Sequence, residues 1–339
     1  MPDNIGQMFY CGERPWHKKG TKLSEAATAE QAILAGGLDW EVDMIPIQTV
    51  EDPPTQTDRR MAVVRTDRKP GDLRRVLGVV HPDFEPLQNR DGVMVFDKLV
   101  GKGKGVYHTG GYLGKGEAVW LLAALPPELR IVVDRDDELD TYMLFSNSHD
   151  GTLAIDFRIT TVRVVCQNTL SLALTQKPFS HVFRHAHDID PESLEIETQQ
   201  FFAVCRAATN LLQQEFRAMH AVRLEHRQFP TFVEQLLPFP RPPARVATDP
   251  VLRRSHETRC ANITKERGKV VDVFTTGINN GIKIPPGEET VWGALNAVTA
   301  YVDHIQSIGG DRYAHILFGN GAVLKRSAYE LALQQLPKN

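Results

Sequence analysis

The segment Val106–Leu125 reads VYHTGGYLGKGEAVWLLAAL, and it decides the predicted fold of the chain. Two strand-like runs, Val106–Leu113 and Glu117–Leu125, flank the three residues Gly114-Lys115-Gly116. Glycine adopts the backbone conformations that tight turns need, so this pattern predicts an antiparallel hairpin. The hairpin in turn predicts a mainly antiparallel sheet, provided that the neighbouring segments are also strands.

Strand patterns of the same kind lie on both sides of the hairpin. The predicted strands are Leu38–Val50, Met61–Arg65, Leu77–Val80, Leu129–Val133, Tyr142–Asn147 and Leu153–Val165. A helix to about Ala35 is predicted to end at Gly36-Gly37, and Asn89 is predicted to cap a helix over about Arg90–Val100. Alternating strand and helix units are absent, which speaks against a doubly wound fold. The first half therefore predicts a twisted, mainly antiparallel sheet with flanking helices.

The character of the sequence changes after residue 186. Asp190 and Pro191 predict the start of a long helix that runs to about Arg227, and prolines near 238–243 predict a linker. Three further helices are predicted, over about Ser255–Arg267, Thr290–Ile308 and Ala322–Leu336. The sequence thus predicts an α+β protein with an N-terminal arm (1–22), a sheet-rich α+β domain (23–186) and a helical C-terminal region (187–339).

Composition argues against several classes of protein. No run reaches the roughly 18 apolar residues that a membrane helix needs, and no basic region followed by an apolar core opens the chain. The four cysteines lie far apart, which argues against a disulfide scaffold and against a zinc ribbon. We therefore expect a cytoplasmic protein that has no membrane partner.

Basic residues are concentrated in a few segments, although the net charge is −3. Seven Arg or Lys and two Asp lie in Arg59–Arg75, and Lys98–Lys115 contains four Lys and no acid. Such segregation can produce a positive groove, and scattered solvated charge is the alternative interpretation. The residues predicted to contact phosphates are Arg59, Arg60, Arg65, Arg68, Lys69, Arg74, Arg75, Lys102, Lys104, Lys115 and Arg163.

Three histidines, His181, His185 and His187, lie within seven residues and precede Asp188. Imidazoles at i and i+4 on a helix can hold a metal ion, with a carboxylate as a further ligand. A polar loop before Asp190 is the alternative, and neither HExxH, GxSxG nor GxxxxGK[ST] occurs. The sequence favours a non-enzymatic protein without a cofactor, and a metal-dependent nuclease that uses these histidines stays open.

Several motifs occur in order along the chain. They are Pro15-Trp16-His17, RVVCQNTL at Arg163–Leu170, His185, and TVWGALNAVTAYVDH at Thr290–His304. Together they resemble a phage- and plasmid-like protein family that carries a domain of unknown function, over nearly the whole chain. The resemblance implies a place on mobile genetic elements near replication or recombination genes, and it supplies no catalytic residues. Only the general plan of that family is similar to single-strand annealing proteins of the Rad52 and RecT type.

Two functions from different classes follow as predictions. The first is a DNA-associated protein of a mobile element that binds single-stranded DNA in annealing, recombination or replication, through the basic residues above. The second is a homo-oligomeric protein-interaction module or host-defence antagonist without nucleic-acid binding. Its oligomer would bury the face of Thr290–Ile308. A homo-oligomer is expected in either case.

Overall fold

The computed structural model describes residues 5–12, 20–24, 27–100, 105–163, 169–170, 180–183, 207, 209–279, 282–283, 289–307, 315–316 and 319–337. The protein has the predicted α+β class, because strands dominate the first half and helices are concentrated in the second. None of the helices in these ranges is long and apolar enough to cross a membrane.

Strands and helices are numbered in chain order. The strands are β1 (Ile5–Cys11), β2 (Thr21–Leu23), β3 (Val42–Gln48), β4 (Gln56–Arg65), β5 (Val76–Val80), β6 (Val106–Leu113), β7 (Ala118–Ala124), β8 (Ile131–Asp134), β9 (Asp137–Ser148), β10 (Ile155–Arg163), β11 (Thr169–Leu170), β12 (Ser180–Phe183), β13 (Ile278–Asn279) and β14 (Ile282–Lys283). The helices are α1 (Ala29–Gly36), α2 (Asn89–Val100), α3 (described over 209–221), α4 (Phe229–Leu236), α5 (Pro250–Thr276), α6 (Val291–Ala300) and α7 (Asn320–Gln334).

The larger sheet has nine strands in the order β11-β10-β9-β7-β6-β1-β2, with β8 beside β9 and β12 beside β10. Its strand pairs are antiparallel except β1 with β2. The predicted hairpin Val106–Leu125 is confirmed as β6 and β7, in which Leu113 pairs with Ala118. Gly114 and Gly116 in its turn have φ of 62° and 125°, which favour glycine.

Strand β1 lies between β6 and β2, although its residues belong to the segment predicted as an N-terminal arm. Met8, Phe9 and Cys11 are buried, and the ring of Phe9 packs edge-on against Tyr107 with centroids 6.4 Å apart. Over Ile5–Cys11 the chain is thus a sheet strand and not an arm. The sequence pattern did not predict this strand, because only the second half of the short segment Ile5–Cys11 is buried.

A second sheet has the order β3-β4-β5 and is antiparallel, and β13 and β14 form a separate two-stranded sheet. The second sheet confirms the predicted pairing of Met61–Arg65 with Leu77–Val80, since Met61 lies opposite Val80. The intervening turn carries many of the basic residues of the first half. This turn forms one wall of the candidate site.

Helix α1 ends where the sequence predicts. Thr28 forms a capping box with Gln31, and Gly37 ends the helix with φ of 66°. Asn89, predicted as an N-cap, has another role. Its buried amide donates to the carbonyls of Leu38 and Trp40, so it ties α2 to the segment before β3.

Helices α3 to α7 pack against one another and against the larger sheet. Phe216 of α3 packs on Trp292 of α6 with ring centroids 4.6 Å apart, and Phe229 of α4 stacks on Phe274 of α5 at 4.0 Å. Every residue of α6 is buried. A single cluster of buried apolar residues includes strands and helices, so both halves of the chain share a core.

Two helix boundaries differ from the prediction. Helix α3 ends at residue 221 and not near Arg227, because the chain then turns and Leu224 N–H donates to the Glu289 carbonyl. Helix α5 is longer than the predicted Ser255–Arg267, since Asp249 caps its start and Gly277 ends it. The predicted beginning of the long helix, residues 190–206, lies outside the described residues.

Candidate functional site

A cavity of about 590 Å³ lies where the start of β1, the β4–β5 turn and the β6–β7 turn meet. Four of its lining side chains are cationic: Arg65, Arg68, Arg74 and Lys115. We call this cavity the cationic pocket. The antiparallel pairing of β1 with β6 sets Ile5 opposite Leu113, just before the β6–β7 turn, and so brings two of the three segments together.

Arg65 connects the two turns of the pocket. Its guanidinium is buried and donates to both carboxylate oxygens of Asp67 at 2.9 Å and to the carbonyl of Lys115 at 2.7 Å. It also stacks on Trp40, with its central carbon 4.1 Å from the ring centroid. Every arm of the guanidinium is therefore engaged. Arg65 thus has a structural role between the two turns, and its predicted contact with a phosphate stays a prediction.

The ion pair between Arg65 and Asp67 is maintained at neutral pH. The hydrogen bond from Arg65 lowers the pKa of Asp67 below its ordinary value of 3.8, and burial opposes this effect only in part. Asp67 therefore remains ionised and balances the buried charge of Arg65. A buried guanidinium without such a partner would carry a large desolvation cost.

The β6–β7 turn presents Lys115 to the pocket. Gly116 lies against Trp40, and a Cβ atom at this position would lie 2.7 Å from the Trp40 ring. The N–H of Lys115 donates to Glu117 Oε2 at 2.5 Å, which directs that carboxylate toward the backbone of the turn. The side chain of Lys115 is exposed.

The β4–β5 turn supplies Arg68 and Arg74. The N–H of Arg74 donates to Asp72 Oδ1 at 2.8 Å, and Arg75 Nη1 donates to the carbonyl of Arg68 at 3.0 Å. Arg68 Nε lies 3.5 Å from Asp67 Oδ2 but donates no hydrogen bond to any described residue. The turn is thus held by its own hydrogen bonds, and Arg68 lies beside the ion pair of Arg65 and Asp67.

The charges of the pocket do not cancel. Asp67 balances Arg65, which leaves Arg68, Arg74 and Lys115 against the lining carboxylate of Glu117. Positive charge therefore exceeds negative charge by two among these side chains. Apolar atoms of Ile5, Leu73 and Tyr112 line the same cavity. Cations beside an aromatic ring are the arrangement that holds the phosphates and bases of single-stranded nucleic acid.

The remaining predicted phosphate contacts do not line the pocket. Arg59 and Arg60 are exposed on β4, on the order of 15 Å before Arg65 along the strand. Arg163 lies in β10, where its backbone pairs with Leu139 of β9. Strands β9 and β7 separate β10 from β6, which precedes the turn of the pocket. Lys69 is exposed and Arg75 half-buried in the β4–β5 turn, while Lys102 and Lys104 lie outside the described residues.

The predicted histidine site falls mostly on residues that are not described. His181 pairs with Phe157 through β12 and β10, and His185 and His187 lie outside the described residues. Across the described ranges, no three His, Cys, Asp or Glu side chains are grouped so that they could hold a metal ion. The metal site therefore stays a prediction.

The motif Thr290–His304 forms α6 and the π-helical turn Tyr301–Ile305. Trp292 and Val302 are fully buried and belong to the core. Trp292 Nε1 donates to Asp137 Oδ2 of β9 at 2.6 Å. The chain itself encloses α6, and the predicted homo-oligomer stays a prediction.

The sequence did not single out Trp40, Asp67 or Glu117, each of which helps to shape the pocket. Asp67 follows Arg65 by two residues, so the sequence suggests a local ion pair, but it does not show that Arg65 is buried. Trp40 lies 25 residues before Arg65, and only the fold places its ring under the guanidinium. Tyr112 is an aromatic residue within the basic segment Lys98–Lys115, and it lines the pocket.

The model of one protein family, described as a domain of unknown function (DUF932), matches residues 76–328, more than half of the chain. The matched span includes Lys115 and the whole of α6, whereas Arg65, Arg68 and Arg74 precede it. No curated protein and no solved structure shows significant similarity to the chain.

Proposed function

The chain belongs to the DUF932 family, whose function is unknown, and we propose that it binds single-stranded DNA at the cationic pocket. One observation carries this proposal: Arg68, Arg74 and Lys115 come from two separate turns and converge on one cavity beside Tyr112. Cations bind phosphates regardless of sequence, and an aromatic ring offers a surface for a base. The expected mode is therefore sequence-tolerant and salt-sensitive.

The shape of the site favours a single strand over a duplex. Duplex DNA is stiff, with a persistence length of about 50 nm, and it keeps each phosphate on a wide helix. A cavity of about 590 Å³ between two turns is nucleotide-sized, and a flexible strand can direct one nucleotide into it.

The biological setting that we propose is annealing, recombination or replication of a phage or plasmid. This part rests on the resemblance of the sequence motifs to the phage- and plasmid-like family. The competing proposal, a homo-oligomeric interaction module or host-defence antagonist, relied on the Thr290–Ile308 face. Helix α6 makes up much of that face and is buried within the chain, so an oligomer would have to use other surfaces of the helical half.

Fluorescence polarisation of a labelled oligodeoxynucleotide, titrated at several salt concentrations, tests the proposal. The loss of three positive charges from the pocket should reduce the slope of log affinity against log salt, by at most about 2, in Arg68→Ala/Arg74→Ala/Lys115→Ala. The matched control, Arg254→Ala/Arg259→Ala/Lys265→Ala, removes equal charge from exposed positions of α5 and should retain the slope. Absence of salt-sensitive binding by the unmodified protein contradicts the proposal, as does an equal loss in both variants.

A further inference from the structure

We infer that the cationic pocket recognises a terminal phosphomonoester at the end of a DNA strand in preference to an internal phosphodiester. The inference rests on the proposed function and adds to it the chemical group that occupies the pocket. Three structural features support it: the local charge, the number of converging cations and the way in which the two turns are held.

The local charge matches a monoester better than a diester. An internal phosphodiester carries a single negative charge, whereas a phosphomonoester carries about −1.5 to −2 near neutral pH. Arg68, Arg74 and Lys115 opposite Glu117 leave an excess of two positive charges in one cavity. An excess of two charges in one cavity is more than one internal phosphate can neutralise, and it matches a terminal phosphate.

The arrangement of the cations points the same way. A strand bound through successive internal phosphates requires cations in a row along its path. Here three cationic side chains converge, and Arg59 and Arg60 lie on the order of 15 Å from Arg65. A terminal phosphate presents three oxygens that can each accept a charge-assisted hydrogen bond, one from each converging side chain.

The two turns are fixed before any ligand binds. Arg65 joins them through Asp67 and the carbonyl of Lys115, and Trp40 packs under both Arg65 and Gly116. A site that is already held in place loses little conformational entropy on binding. Because the backbone on either side of the pocket is anchored, Arg68 and Lys115 can meet one phosphate from opposite turns.

The remainder of the cavity accommodates the nucleotide that carries the phosphate. Its volume of about 590 Å³ lies within the range of small-molecule sites. Tyr112 is half-buried beside Lys115, and Leu73 is 88% exposed at the β4–β5 turn. These apolar surfaces offer a place for the terminal sugar and base while the cations hold the phosphate.

Three oligodeoxynucleotides of one sequence, with a 5′-hydroxyl, a 5′-phosphate or a 3′-phosphate end, test the inference by fluorescence polarisation. The label is placed at the strand's centre. We expect at least one phosphorylated strand to bind about ten-fold more tightly than the hydroxyl strand, and the preferred strand identifies the end. Lys115→Met should remove this preference, whereas Lys115→Arg should retain most of it. The Arg254→Ala/Arg259→Ala/Lys265→Ala control should retain the preference in full.

A pH series supplies an independent readout. The second pKa of a phosphomonoester is about 6, so the preference should shrink when the pH is lowered from 7.5 to 5.5. Equal, salt-sensitive binding of all three strands overturns end recognition and leaves the proposed function standing. If none of the strands binds, both end recognition and the proposed function are overturned, even if a deoxynucleoside monophosphate alone binds. Thermal melting of each variant shows whether a lost preference reflects lost folding.

Discussion

At the scale of single residues, Arg65 shows how a buried charge can build a surface site. It was one of many arginines in a basic segment, and the sequence predicted an exposed phosphate contact. Its guanidinium is instead enclosed by Asp67, the Lys115 carbonyl and Trp40. The sequence alone could not show that Arg65, and not Arg68, is the buried arginine. The burial of Arg65 depends on the Trp40 ring and the Lys115 carbonyl, which belong to distant segments.

Asp67 should stabilise the protein in a pH-dependent manner. Its folded pKa lies below 3.8, so its contribution is present above that pH and is lost as the pH falls through the folded pKa. We expect Asp67→Asn to lower the free energy of unfolding by about 1 kcal/mol at pH 7, a modest value because the carboxylate is partly solvated. Urea unfolding at pH 7 and at pH 3 measures this difference, which should be smaller at the lower pH.

The control for this experiment is Asp58→Asn, which alters an exposed carboxylate elsewhere on β4. It should change the unfolding free energy by less than about 0.5 kcal/mol at either pH. An Asp67→Asn protein as stable as the unmodified protein at pH 7 would show that this ion pair does not hold Arg65.

At the scale of elements, the sequence predicted those turns and helix ends that depend only on residues close together in the chain. The glycines at the β6–β7 turn and at the end of α1 act through nearby backbone, so the sequence located both. Strand β1 was missed because its burial comes from pairing with β6, far along the chain. Asn89 was misassigned as a cap for the same reason, since its buried partners belong to the segment before β3.

Helix α6 is joined to the sheet by the hydrogen bond from Trp292 to Asp137. Trp292→Phe keeps a ring packed on Phe216 but removes this bond to a charged acceptor. We expect a loss of about 2 kcal/mol in unfolding free energy, measured by urea denaturation. In an Asp137→Asn background the same substitution should cost clearly less. Equal costs in both backgrounds would contradict the coupling of the two side chains.

Lys325 of α7 and Asp303 form a buried ion pair with atoms 2.9 Å apart. Burial lowers the pKa of Lys325, and Asp303 opposes that shift. Asp303→Asn should cost about 3 kcal/mol of unfolding free energy, because it leaves a buried cation without its counter-charge.

The double variant Asp303→Leu/Lys325→Met replaces the pair with apolar side chains and should cost less than Asp303→Asn alone. Urea denaturation of all three proteins measures the difference. A double variant that is less stable than Asp303→Asn would contradict this account of the pair.

At the scale of the whole molecule, the pocket is assembled from three segments that the sequence did not connect. The α+β class and the change to helices in the second half were predictable, because periodicity and turn residues report them locally. The two basic segments were visible too, but as separate clusters under a net charge of −3. Their convergence follows from the register of β1 with β6 and from the Arg65 link between turns.

The central claim is that a single strand enters the cationic pocket, and photochemical crosslinking tests this placement most directly. A strand that carries 5-iododeoxyuridine is irradiated with the protein, and the crosslinked peptides are identified by mass spectrometry. We expect crosslinks at Tyr112, the aromatic residue that lines the pocket, and their loss in Arg68→Ala/Arg74→Ala/Lys115→Ala. Crosslinks confined to α5 or to β10, and unchanged in that variant, would contradict it.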